Sequence, residues 1–150
     1  MSKKIFRFLF VIVLGLGLFA PNSANAAVEC YDSGVWDFAF GSKGDGKDES
    51  ELQAICEGNL VASGSIKASR AGHGQSDAGT VRVTVFLMKE KRGFDEVIKE
   101  KEMTLTIGGS AKKLTINAGD VPLGNYYIKV ETGKGGSSFQ ITGSGTFKSN

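Results

Sequence analysis

The sequence predicts an all-β fold: a small antiparallel β-sandwich, Ig-like or jelly-roll-like, with about seven strands. Two observations predict it. Apolar side chains recur at every second position in several stretches, the period that lines one face of a strand. Those stretches are separated by glycine-rich turn signals, 21 Gly and only 2 Pro in 150 residues.

The N-terminal 26 residues stand apart. Lys3, Lys4 and Arg7 precede an apolar run that reaches Ala20, Pro21-Asn22-Ser23 breaks it, and Ala24-Asn25-Ala26 follows. This is the order of charged region, apolar region and A-x-A site in a secretory signal peptide. Its uncharged core of about 13 residues falls short of the roughly 20 that a membrane span needs. Residues 1–26 are therefore expected to be a signal peptide and 27–150 a single exported domain. Glu29 stands directly before Cys30, where a lipoprotein signal wants a small residue. No stable membrane anchor is expected after cleavage.

Export changes the charge reading. The whole chain has 18 basic and 16 acidic residues and a net charge of +2. The leader contains three of the basic residues and none of the acidic, so 15 face 16 in the remainder. The basic excess belongs to translocation and gives no reason to expect a nucleic-acid partner. Two Cys in an exported chain read as one disulfide, Cys30 to Cys56, which by chain entropy contributes about 3.5 kcal/mol.

The elements follow in order. In Gly34–Gly41, Trp36, Phe38 and Phe40 share one face of a strand, either as core or as an exposed aromatic strip. After a polar loop, Ser50-Glu51-Leu52-Gln53 fits a capping box, and Leu52, Ile55, Cys56 and Leu60 lie near helical spacing. This predicts one short helix near 49–57. Leu60–Ser69 alternates weakly as a strand, residues 70–79 read as a loop, and Thr80–Met88 is the clearest strand. There Val81, Val83, Val85 and Leu87 face one way, Arg82, Thr84, Phe86 and Met88 the other. The charged stretch from Lys89 reads as a hairpin tip leading into a strand over Val97–Ile107, although Phe94, Val97, Ile98 and Lys101 also allow short helical turns. Strands at Lys113–Asn117, Tyr126–Glu131 and Ser138–Phe147 complete the set.

Pro122-Leu123-Gly124-Asn125-Tyr126 has the form of a tyrosine corner, in which a Tyr hydroxyl returns to backbone a few residues upstream. With Leu114, Ile116, Ala118-Gly119, Tyr127-Ile128-Lys129-Val130 and Phe139-Gln140-Ile141, residues 114–141 resemble bacterial pre-peptidase C-terminal-type β-sandwich modules. The resemblance implies a non-catalytic binding or folding accessory and transfers no functional residue. Ser33–Phe38 more faintly resembles the opening of lactococcin-972-type bacteriocins.

Candidate chemistry is sparse. His73, the one His, sits in Gly72-His73-Gly74 with Ser76 and Asp77 behind it, a crowded glycine-flanked loop unsuited to a rigid triad. Asp45, Asp48 and Glu49 form the only candidate calcium cluster, without EF-hand spacing and with Lys43 and Lys47 beside them. Glu96, Glu100 and Glu102 alternate with lysines on what reads as a surface ribbon, not as two carboxylates across a cleft. No nucleophile elbow, phosphate loop, zinc motif or dinucleotide fingerprint is present. The expectation is a non-enzymatic secreted protein, without a cofactor, that binds an extracellular glycan, polymer or protein through aromatics left exposed, with Trp36, Phe94 and Tyr127 the candidates. The alternative is a small exported antibacterial competition factor.

Overall fold

In the computed structural model the described residues are 29–41, 47–70, 79–133 and 139–150. They form nine antiparallel strands: β1 (Ser33–Gly41), β2 (Lys47–Glu49), β3 (Gln53–Ile55), β4 (Gly58–Arg70), β5 (Thr80–Lys89), β6 (Glu96–Thr106), β7 (Lys112–Val121), β8 (Gly124–Thr132) and β9 (Phe139–Ser149). One sheet has the order β1-β9-β4-β7; the other runs β2-β8-β5-β6, with β3 also paired to β8. Only the β2–β3 and β5–β6 connections stay within a sheet; every other one crosses between sheets. This is the double-sheet winding of a jelly roll, and it selects between the two sandwich types the sequence left open.

Each strand read from the sequence is present, with ends that differ by at most four residues. The short helix near 49–57 is corrected: the segment contains the end of β2 and all of β3, both edge pieces on β8. The register shows the cause. Glu49 opposes Lys129 and Gln53 opposes Tyr126, so Ser50, Glu51 and Leu52 stand against only Tyr127 and Ile128. The extra residue is a bulge. Ser50 N–H donates to the Ile128 carbonyl at 2.8 Å, and Ile128 N–H donates back to Ser50 Oγ at 3.0 Å. The Ser50 hydroxyl thus satisfies a backbone N–H across the sheet where a helix cap would satisfy one three residues on.

The core lies between the sheets. Leu60, Ala62, Ile66 and Ala68 of β4, Leu114 and Ile116 of β7, and Ile141 and Phe147 of β9 meet Val81, Val83, Val85 and Leu87 of β5 and Tyr126, Ile128 and Val130 of β8. Trp36 is 1% exposed and Phe38 is buried with it, so the aromatic strip of β1 is core. Their rings stack at 6.0 Å. They lie over glycines: Trp36 pairs with Gly145 and Phe38 with Gly143, and a side chain at either glycine, or at Gly64 beyond, would collide with the ring above it.

One seam between the sheets is stapled. Cys30 and Cys56 form a disulfide with a Cα–Cα distance of 5.0 Å, and Tyr31 N–H donates to Ala54 O at 2.9 Å while Cys56 N–H donates to Tyr31 O at 3.2 Å. The leader, residues 1–26, lies outside the described residues, as do Lys43, Asp45, His73, Ser76 and Asp77. No helix among the described residues is long and apolar enough to cross a membrane.

Candidate functional site

The three aromatics expected to meet a ligand divide on burial. Trp36 is in the core, and Tyr127, on the outer face of its sheet, is only 5% exposed. Neither is left exposed as a contact would require. Phe94, in the β5–β6 connection, is 84% exposed. Of the three calcium candidates Asp45 lies outside the described residues, and Asp48 and Glu49 are neighbours on β2 and so project to opposite faces. Asp48 accepts a bond from Ala39 N–H at 3.1 Å, which caps the free edge of β1. Among the described residues no three His, Cys, Asp or Glu are grouped to hold a metal.

The Phe94 loop, Glu90 to Asp95, is held at both ends. At its start Glu90 N–H donates to Asn125 O at 2.9 Å, and Asn125 Nδ2 donates to Glu90 Oε2 at 2.7 Å. At its end the Asp95 carboxylate clamps the loop. Oδ1 accepts Lys91 N–H at 3.1 Å, and Oδ2 accepts the Tyr127 hydroxyl at 2.6 Å. Lys91 Nζ meets Glu96 at 2.7 Å. Between these anchors Gly93 has φ +105°, a backbone state that L side chains rarely adopt. Arg92 and Phe94 flank it, both exposed, and Arg92 has no partner among the described residues.

The clamp has an electrostatic signature. The Tyr127 hydroxyl, then the Lys91 amide, hold the Asp95 carboxyl below its ordinary value. Burial first, and the Asp95 bond second, push the Tyr127 phenol well above its usual range. Glu96 is lowered by its bond and charge interaction with Lys91. Each acid beside the tip is thereby occupied in fixing it. Next to the tip lies an open depression of about 140 Å3, lined by Glu49, Ser50, Leu52, Glu90, Asp95 and Tyr127. A larger open hollow of about 560 Å3 lies around Asp32, Glu57 and residues 146–150, but its one aromatic, Phe147, is turned into the core.

Sequence reasoning named Phe94 and Tyr127 without relating them. Their link runs through Asp95, whose role was not foreseen. Asp95 is adjacent to Phe94 but 32 residues from the hydroxyl it accepts, a separation that periodicity does not bridge.

Fold and site together define a jelly-roll β-sandwich that presents a braced hairpin with an aromatic tip. No protein-family model matches the chain, and no curated protein sequence matches it. The likeness of residues 114–141 to pre-peptidase C-terminal-type modules thus rests on strand and turn pattern alone. Among solved structures, the chain is similar to TmCBM61 in complex with β-1,4-galactotriose, at 13% identity over 75% of this chain and 66% of that one, with a TM-score of 0.38. It is similar to cowpea mosaic virus top component, naturally occurring empty particles, at 10% identity over 79% and 78%, TM-score 0.39. A third is infectious bursal disease virus Gt strain, at 13% identity over 77% of this chain and 30% of that one, TM-score 0.39. The chain spans just under two thirds of the first of these and under a third of the last. At such identities and TM-scores no role passes from them to this chain.

Proposed function

We propose that this is an exported, non-enzymatic β-sandwich protein that binds a glycan, polymer or protein outside the cell, with Phe94 as its central contact. The observation that carries the reading is the bracing of a strongly exposed Phe by bonds on both sides of a six-residue loop. Leaving a large apolar ring in water is unfavourable. A tip fixed before binding loses little conformational entropy on contact, the condition under which one aromatic carries much of an interface. The Cys30–Cys56 disulfide and the leader-like residues 1–26 support an oxidising, extracytoplasmic destination. The Asp95 and Glu96 shifts follow first from the bonds that fix the loop, and the Tyr127 shift first from burial.

The test is a panel of immobilised glycans, insoluble polysaccharides and cell-surface proteins, probed with the parent protein and with Phe94→Ala. A ligand whose affinity falls at least about tenfold in the variant supports the reading. A panel that returns no ligand, or one whose binding ignores the substitution, overturns it.

A further inference from the structure

Strand β6 ends its sheet, and among the described residues no strand pairs with its outer edge. The open outer edge of this 11-residue strand, whose inner edge pairs with β5, is a template for a second copy of the same strand. The side chains of β6 are sorted by charge. Lys101 opposes Val85 and Lys99 opposes Leu87, so both lysines share the inward face with Met103 and Leu105. Glu100 opposes Phe86 and Glu102 opposes Thr84, so both acids lie on the outward face.

This sorting has a geometric consequence. If two copies join edge to edge as one continuous antiparallel sheet, each side chain keeps its face, and residues an even number apart meet. With the two-fold axis at Glu100, Lys99 meets Lys101 and Glu100 meets itself. At Lys101, that residue meets itself and Glu100 meets Glu102. At Glu102, the acid meets itself and Lys101 meets Met103. Parallel, in-register stacking sets every charge against its own copy. Directly opposed cross-strand residues stand about 5 Å apart, where like charges destabilise the pair. Strict alternation of charge along a strand is innocuous to its own sheet and repulsive to its duplicate. Lys101 Nζ also donates to Thr115 O of β7 at 3.1 Å, so one of the two inward lysines is held in place over the open seam.

We propose that the charge-sorted segment Lys99–Glu102 is a device that closes the β6 edge to second copies of the chain and keeps the protein monomeric. It stands whether or not Phe94 contacts a ligand.

The experiment measures self-association by analytical ultracentrifugation over a wide concentration range, for the parent and for Lys99→Glu/Glu100→Thr. With the axis at Glu100 this variant replaces two Lys–Lys contacts by opposite-charge contacts and removes the Glu–Glu one. The expected result is a monomeric parent and a variant that dimerises at least about tenfold more tightly. Circular dichroism and the thermal midpoint confirm the fold of the variant, whose altered side chains are both exposed. A second arm leaves the sequence intact: 1 M salt shortens the screening length to about 3 Å and is expected to raise self-association of the parent. A parent that dimerises at low salt and cross-links through Glu100→Cys overturns the proposal. So does a folded variant that stays as monomeric as the parent while salt changes nothing.

Discussion

The indole of Trp36 lies across the backbone of Gly145, its partner on β9, and reaches Gly64 on β4 beyond it. A large ring thus fills space that side chains at two positions would otherwise occupy, and the two glycines give up side chains so that the ring can lie flat. A Cβ at Gly145 would also collide with the Ser63 carbonyl, which is backbone and cannot rotate away. Gly145→Ala is expected to destabilise the protein by about 3 kcal/mol, the upper part of the overpacking range. Gly133→Ala, with nothing within 4 Å, is the control and should change stability by less than about 0.5 kcal/mol. Urea unfolding of both variants checks the contrast.

Trp36 Nε1 is buried without a hydrogen-bond partner among the described residues. A buried lone donor carries a desolvation cost that its hydrocarbon neighbours cannot offset. Trp36→Phe removes that donor and keeps most of the ring, whereas Trp36→Ala leaves a void over two glycines. The Ala variant is expected to lose about 3–5 kcal/mol and the Phe variant clearly less, read from the same unfolding curves. Equal losses would mean that ring volume at this site contributes nothing.

The Cys30–Cys56 bond joins the segment before β1 to the end of β3 and so ties the two sheets at one seam. Its loop of 26 residues sets the entropic contribution near 3.5 kcal/mol. Cys30→Ser/Cys56→Ser is expected to lower the thermal midpoint by at least several degrees. Reductant should lower the parent by the same amount and leave the double variant unchanged. A reductant effect on the variant would assign the loss to something other than this bond.

The Tyr127–Asp95 clamp predicts two pH limits for the tip. The Asp95 pKa is depressed, so its contribution is present above the unfolded carboxylate value and lost as pH falls through the folded one. The Tyr127 pKa is raised, so its contribution is present below the unfolded phenol value and lost as pH rises through the folded one. Tyr127→Phe should return the Asp95 pKa toward its ordinary value and loosen the Phe94 loop. Carbon-detected NMR titration of Asp95, with relaxation measured at Gly93, reads both effects. An unchanged Asp95 titration in the variant would show that the hydroxyl does not hold the carboxylate.

What was legible in the sequence follows from range. The strand at Thr80–Met88 was readable because burial on one face imposes a period of two, and Val81, Val83, Val85 and Leu87 are indeed all buried. Tyr126 was readable because its hydroxyl donates to Pro122, four residues upstream within one turn signal. Met88 is different: alternation puts it on the outer face, yet it is buried, beside Tyr127, its partner in register. That burial depends on which element covers the outer face, and no periodicity within β5 reports it. The site was half legible for the same reason. Phe94 stands out in a charged hairpin tip, but the Asp95–Tyr127 clamp that braces it joins that hairpin to β8, 32 residues along the chain.

Ser50 is where local and long-range signals conflict, and it can be tested directly. Its hydroxyl, three residues before Gln53, is the pattern that predicts a helix cap, yet the fold uses it as an acceptor for the buried Ile128 N–H. Ser50→Ala leaves that N–H without its partner in a site where Ser50 itself is only 8% exposed, at an expected cost of about 1–3 kcal/mol. Ser50→Gly should cost at least as much, because it removes the same acceptor and adds backbone freedom at the bulge. If the hydroxyl were instead capping a helix, Gly would be tolerated to within a few tenths of a kcal/mol, because Gly serves well at an N-cap. The Ile128 amide gives a second readout. Its hydrogen exchange should accelerate in both variants while the amides of Val83 and Val85 stay as protected relative to global stability as in the parent.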